Sequence, residues 1–275
     1  MARRYELTDE AWDGVSDLFI ETHGRGRPRL SNRLMLDGVL WVLYSGAAWR
    51  DMPERFGPWS TAYQRFRGWR NQGTFEQMLK RLHPRLNEQG LIDLQTWMID
   101  STAVHATPSL IWRRGKRGAD EPADHALGRS HGCLTTKVHM LCDANRTPLR
   151  FLLSGGQASD ISYAQPLLDE VSTPSSQRGR PRKRCKWLLA TATVIPLRSM
   201  KRKLKPGLPR LFDRPKYRQR NIIERMFGWL KENRRIVTRF NKLAKSYAAM
   251  ASLACSMGIC DISFRTGPNK HARSP

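Results

Sequence analysis

Acid is scarce in this sequence. Its 275 residues hold 24 aspartates and glutamates against 48 lysines and arginines, a formal net charge of +24 and a pI of about 10.8. Each phosphate that a cation neutralises releases counterions and strengthens binding, so the imbalance points to nucleic acid over a merely solvated basic surface, a ribosomal or a membrane-facing role. Cysteine is also sparse. The five (Cys133, Cys142, Cys185, Cys255, Cys260) form no C-x-x-C pair and no regular framework, which excludes a disulfide scaffold and reads as reduced thiols in the cytoplasm. No apolar run reaches the roughly 18 residues that would span a bilayer, so no membrane partner is expected. The opening Met1-Ala-Arg-Arg-Tyr-Glu runs into acidic residues and not into an apolar core, so no signal peptide is visible. The seven histidines, His105, His131 and His139 among them, lack zinc-like spacing. Paired aromatic strand motifs of RNA-recognition modules are missing too. Nine Trp, nine Phe and 40% apolar residues exclude a disordered basic tail.

What is present changes character near residue 90. Residues 1–90 read as short helices. Thr8 caps one carrying Ala11, Trp12, Val15, Leu18 and Phe19; Ser31 caps a second with Leu34, Met35, Val39, Val42 and Leu43 inward. Ser60 starts a third, with Tyr63, Phe66 and Trp69 on one face and Arg65, Arg67 and Arg70 elsewhere on it. Gly- and Pro-containing turns join them, as in a helix-turn-helix-like DNA-binding module or a plain helical bundle with arginines on its wet face. From about residue 96 strands are expected at Thr96 to Asp100, Leu134 to Leu141 and Leu149 to Leu153, then a helix from Ser159 to Val171, which together suggest a mixed α/β domain over residues 91–257. Residues 172–186 form a Pro-, Ser- and Arg-rich linker. Two longer helices are expected near 216–233 and 242–257, and the polar tail 258–275 is expected to be disordered. Arg-Gly-Arg-Pro-Arg occurs twice, at Arg25 to Arg29 and at Arg178 to Arg182. It resembles the core of the AT-hook, whose arginines (here Arg27 and Arg29) enter A·T minor grooves, and it also fits a simple basic loop.

The strongest local pattern runs from Tyr217 to Lys231. At about 100° per residue, Tyr217, Arg220, Glu224 and Lys231 fall within an arc of about 60°, while Ile222, Ile223, Met226, Phe227, Trp229 and Leu230 fill the far side. Geometry alone leaves open an ordinary Arg220 and Glu224 pair at i,i+4 on a solvated face.

That spacing resembles the Y-R-E-K signature of the DDE transposases of the insertion-sequence-four and insertion-sequence-five groups. The resemblance extends over nearly the whole chain, through Gly-Arg-Pro-Arg-Leu-Ser, Ser-Gly-Ala-Ala-Trp-Arg-Asp-Met-Pro and Gly-Pro-Trp-Ser-Thr-Ala-Tyr-Gln-Arg-Phe in residues 5–80, then Met98-Ile-Asp100-Ser-Thr, Gly128-Arg-Ser-His-Gly-Cys-Leu-Thr-Thr-Lys137 and Gly155-Gly-Gln-Ala-Ser-Asp160. It implies a ribonuclease-H-like mixed sheet behind the helical domain. It also implies metal-dependent DNA strand cleavage and transfer, with Asp100 and Glu224 as catalytic carboxylates holding Mg²⁺ or Mn²⁺. Tyr217, Arg220 and Lys231 would lie near the transposon end, and Arg27, Arg29, Arg65, Arg67 and Arg70 on DNA. The implied partner is double-stranded DNA, both terminal inverted repeats and target, bound by a homodimer.

The resemblance breaks at one place. The family carries a second Asp just after the strand matching Lys186-Trp-Leu-Leu-Ala190, whereas this chain has Thr191 there and only 224 − 191 = 33 residues to Glu224. A parallel return strand needs roughly a dozen connecting residues, which Thr191 to Thr193 cannot supply. The expectation is therefore an incomplete catalytic sheet, with Lys186 to Pro196 as one continuous strand or one of the two strands outside the sheet. Asp160 and Asp143 are the acids that could replace the missing ligand, although helix capping and turn chemistry account for them. Two functions follow: a working transposase, or a non-catalytic DNA-binding remnant that competes with intact relatives.

Overall fold

The computed structural model describes residues 6–19, 30–108, 110, 125–130, 132–171, 185–190, 193–196 and 221–265, with the backbone alone for 193–196 and 261–265. The chain divides into two compact units. One comprises Met1–Arg81, Thr107–His125 and Leu230–Cys260; the other comprises Leu82–Ala106, Ala126–Trp229 and Asp261–Pro275.

The first unit is helical. Thr8 accepts from the Ala11 N–H to cap α1 (Asp9–Asp13), and Ser31 accepts from the Leu34 N–H to cap α2 (Asn32–Ser45), both as the side-chain chemistry dictates. Helix α3 (Trp59–Gln72) begins after Pro58, one residue earlier than Ser60, because Pro58 fixes its own φ and no side-chain cap is used. Helix α4 (Thr74–Glu88) follows directly. Phe19, Phe66, Trp69 and Phe75 stack into one aromatic core, with Phe19 edge-on to Trp69 at 4.9 Å and Phe66 tilted on Phe75 at 5.6 Å. Asp37 is buried inside α2, where its carboxylate accepts the Leu7 N–H at 3.0 Å.

Late in the chain come α6 (Asn221–Glu232), the short α7 (Arg234–Val237) and α8 (Ala244–Arg265), with α5 described below. Helix α8 does not stop at 257, and the segment from Gly258 opens as helix, not as a disordered tail. Ile259 and Cys260 are buried, and their burial outweighs the roughly 1 kcal/mol that a glycine costs a helix. The helix is buried all round through Tyr247, Met250, Leu253, Ala254, Cys255 and Ser256, so it lacks the amphipathic period that would have marked its extent.

The second unit is a mixed sheet in the order β2-β3-β1-β5-β6, with β4 also paired to β3. The strands are β1 (Thr96–Ala106), β2 (Gly128–Ser130), β3 (Cys133–Asp143), β4 (Pro148–Gly155), β5 (Trp187–Ala190) and β6 (Thr193–Pro196). Strand β1 runs antiparallel to β3, Asp100 opposite Met140, and parallel to β5, Met98 opposite Leu189. Helix α5 (Asp160–Glu170) packs on β1, β3 and β4. The β3–β4 turn is organised by Asp143, fully buried, whose carboxylate accepts the N–H groups of Asp93, Asn145 and Thr147 at 2.7–2.9 Å.

Neither alternative expected for Lys186 to Pro196 occurs. The segment folds back on itself, β5 and β6 pairing antiparallel from Trp187 opposite Pro196 to Ala190 opposite Thr193. The cause is length: two residues suffice for an antiparallel hairpin, whereas a parallel return needs a crossover.

Burial pushes the Asp143 carboxyl up to about 7, while the three N–H donors pull it the other way. A carboxyl raised on folding stabilises most below its unfolded value near 4, and that contribution is lost as pH rises through the folded value. The stability cost of Asp143→Asn, read by urea unfolding, should therefore shrink between pH 4.5 and pH 8. A cost independent of pH would contradict this account of the turn.

Candidate catalytic strand and nucleic-acid interface

Asp100 does not end its strand, because β1 continues to Ala106, paired to β3 as far as His105 opposite Thr135. The apolar Trp97, Met98 and Ile99 are buried and bring the half-buried Asp100 to the middle of the strand, where its Oδ1 accepts the Ser101 N–H at 2.9 Å. Successive side chains of a strand leave on opposite faces. Asp100 thus shares a face with its partner Met140, while Ser101 shares the other with its partner His139.

The Ser101 face carries a polar network. The Ser101 hydroxyl donates to Asp160 Oδ1 at 2.7 Å, and Lys137 Nζ donates to the same oxygen at 3.1 Å and to the Ala158 carbonyl at 2.9 Å. His139, buried, lies with Nδ1 3.6 Å from Asp160 Oδ1, Nε2 2.7 Å from Ser154 Oγ, and its ring stacked on Tyr163 at 4.2 Å. Burial pushes the Asp160 carboxyl up, but the Ser101 and Lys137 hydrogen bonds and the nearby positive charge outweigh it and hold the group below the usual range. Burial likewise lowers the His139 pKa against the pull of Asp160. Asp160 is the first residue of α5 and Ser159 stands in the cap position, so the acid serves Ser101 and Lys137 and does not cap the helix.

Neither alternative acid can join Asp100. Asp160 is bonded to Ser101, on the opposite face of the sheet. Asp143, opposite Trp97, has the same parity as Ser101, and both its oxygens are taken up by backbone N–H groups. Glu224 lies exposed on α6, and Ile223, Met226, Phe227 and Leu230 are buried on that helix as the pattern requires; Lys231 is half-buried. Among the described residues no group of three or more His, Cys, Asp or Glu could hold a metal ion. Tyr217, Arg220, Thr191, Arg27 and Arg29, and with the last two both copies of Arg-Gly-Arg-Pro-Arg, lie outside the described residues.

The three arginines of α3 have different fates. Arg65 donates to the Leu30 carbonyl at 3.1 Å, and Arg70 donates to Asn71 and to Ser246 Oγ at 2.6 Å, its pKa lowered by burial and by Arg67. Arg67 is exposed, its guanidinium 6.0 Å from the Tyr63 ring. Helical period alone could not separate them, because their partners come from distant segments. Sequence reading also passed over Arg50 and Trp59, whose guanidinium and ring lie 5.7 Å apart, and the exposed Arg234. The Trp-Arg and Pro-Trp pairs within Trp49-Arg50 and Pro58-Trp59 were the available signal.

A family model described as "Putative transposase of IS4/5 family (DUF4096)" matches residues 7–79, the stretch from α1 into α4. "Uncharacterized protein y4sN" of Sinorhizobium fredii (strain NBRC 101917 / NGR234) is 36% identical over 118 residues, 42% of this chain and 89% of that protein. "Insertion element IS402 uncharacterized 16.2 kDa protein" of Burkholderia cepacia is 32% identical over 107 residues, 36% of this chain and 73% of its own length. "Putative transposase for insertion sequence element IS402", also of Burkholderia cepacia, is 28% identical over 156 residues, 54% of this chain and 70% of the relative. No solved structure matches the chain. The chain belongs to a family of insertion-element transposases that includes the IS402 proteins.

If Asp160 and Lys137 act as a pair, their removal is not additive. Asp160→Ala leaves an ammonium without its carboxylate, and adding Lys137→Met should recover part of the loss, a coupling of about 0.5–3 kcal/mol by chemical unfolding. Strict additivity would mean that each side chain acts alone.

Proposed function

We infer that this chain is a DNA-binding transposase of a bacterial insertion element, held as a homodimer on the element's terminal inverted repeats and on target DNA, and that its strand-cleaving activity is weak or lost. Family membership and the charge of +24 support the DNA partner. Recognition is assigned to residues 1–90 and the ribonuclease-H-like DDE function to residues 91–257. The catalytic deficit rests on one observation, the antiparallel β5–β6 hairpin beside the strand that carries Asp100.

Register sharpens the point. Strand β5 pairs with β1 at a constant offset, 187 − 96 = 91 and 189 − 98 = 91. Counted along the sequence, the same offset takes Asp100 to position 191 (100 + 91 = 191), a threonine outside the described residues, where the resemblance puts the second acid. Asp100 and Glu224 are the residues that would hold Mg²⁺ or Mn²⁺, which in such enzymes activates the attacking oxygen and steadies the leaving one. Two ions want about six oxygen ligands each and a shared carboxylate between them. Two carboxylates do not fit that requirement, and with Asp160 on the opposite face of the sheet no third acid among the described residues supplies it.

Two measurements test this reading. Duplex DNA binding should weaken steeply with salt and persist in EDTA, since cations and not a metal supply the affinity; binding that ignores salt would sink the DNA assignment. Cleavage of the element's own ends with Mg²⁺ should stay near background, should not be rescued by Thr191→Asp alone, and should return when a crossover segment with its Asp replaces residues 191–193. Robust cleavage by the unaltered chain, abolished by Asp100→Ala, would show that the centre is complete.

A further inference from the structure

Three segments of the helical unit meet in one mixed surface of cations and rings. The loop after α2 turns at Gly46, whose φ of +70° suits glycine; a side chain there would come within 2.8 Å of the Arg234 Cβ, so the loop lies directly on α7. Arg235 fastens it, donating to the Gly46 and Ala47 carbonyls at 3.3 and 3.1 Å while its guanidinium lies 4.9 Å from the Phe240 ring. From that anchor the loop presents Trp49 against Tyr63 at 5.2 Å and Arg50 against Trp59. Arg67 extends the row over Tyr63. Arg50, Arg67 and Arg234 are exposed, and the residues Trp59 and Phe240 are 38% and 40% exposed. The exposed acids of the same segment are Asp51 and Glu54.

Arginines alone would suit any phosphate backbone. Large rings left open beside them need a further reason, because a closed duplex keeps its base faces inside the stack, and a surface aromatic gains little from the phosphates outside. An unpaired base offers that ring a π-face, and stacking on it is worth a substantial share of single-strand affinity. We propose that Arg50, Trp59, Arg67, Arg234 and Phe240 form a platform for DNA with unpaired bases, the opened or extended end of a duplex, with the arginines on phosphates and the two rings on bases. The platform rests on the DNA-binding reading above and is separate from Asp100 and Glu224.

The test uses the full chain and fluorescence anisotropy with two probes of one sequence, a blunt duplex and the same duplex carrying a short single-stranded extension. The native chain binds the extended probe more tightly. Replacing both rings, Trp59→Ala with Phe240→Ala, removes most of that preference, a loss of roughly fivefold or more, and leaves blunt-duplex affinity little changed. Should the double variant not fold, Trp59→Gln at its open position carries the same comparison, and Trp59→Phe retains the preference. Replacing Arg50, Arg67 and Arg234 by alanine lowers the slope of log affinity against log salt by about 2 to 3; the matched set Lys80, Arg129 and Lys186 lowers it less. A native chain that binds neither probe defeats the DNA reading itself. A chain that binds both equally, or whose ring variants keep the preference, or whose two charge sets behave alike, overturns the platform and leaves the DNA reading standing.

Discussion

The alternation of side chains along β1 decides what this sheet can do. One residue apart on a strand means opposite faces, so Asp100 and Ser101 belong to different chemistries although they are joined by a peptide bond and by the Ser101 N–H to Asp100 contact. Ser101, Lys137 and Asp160 close a hydrogen-bonded network under α5, with His139 beside Asp160 and bonded to Ser154. Asp100 stands on the other side with Met140 as its cross-strand neighbour. A strand with buried apolar residues on both faces cannot slip by one residue without exchanging these sets, so the packing of Trp97, Met98 and Ile99 fixes which acid is presented where.

Positive charge has two uses in this chain. Arg235 and Arg239 are buried and face carbonyl oxygens and rings, although Arg235 Nε has no hydrogen-bond partner among the described residues. Arg239 donates to Asn241, His125 and Lys242 carbonyls and lies 5.4 Å from the Tyr247 ring. Its own carbonyl accepts the Thr107 N–H, so this one residue holds both ends of the segment between Thr107 and His125. A planar guanidinium with five donors suits such carbonyl binding, and a lysine would not replace it. The charge of +24 therefore overstates the cations available to a partner. Arg65, Arg70, Arg235 and Arg239 are engaged within the protein, whereas Arg50, Arg67 and Arg234 are among the exposed arginines.

Local chemistry was readable where it decided the outcome locally. Thr8 and Ser31 cap the helices that their side chains announce, Asp143 makes the turn expected of Asp-Ala-Asn-Arg, and the apolar stripe of α6 is buried as its period requires. The strands were placed correctly but drawn short, since β1 continues past Asp100 through polar residues held by pairing to β3 and not by an apolar pattern. The full length of α8 was hidden because a helix buried on all sides has no polar face to give a period. The division of labour among Arg65, Arg67 and Arg70 was illegible for another reason: their partners, Leu30 and Ser246, are set by tertiary packing.

The hairpin of β5 and β6 shows how the sheet continues beyond β5 without a crossover. Strand β5 keeps its parallel pairing to β1 from Thr96 to Met98 and buries Leu188 and Leu189, which are the contacts that a sheet needs from a neighbour of a central strand. The turn back to β6 satisfies backbone groups of β5 on its far side without any crossover. On the proposed reading, stability and catalysis concern different residues of the same strand pair, the buried leucines for one and the position after Ala190 for the other. The helical unit, with its exposed arginines and rings, contains neither, so the DNA contact proposed for it is independent of which way the chain turns after Ala190.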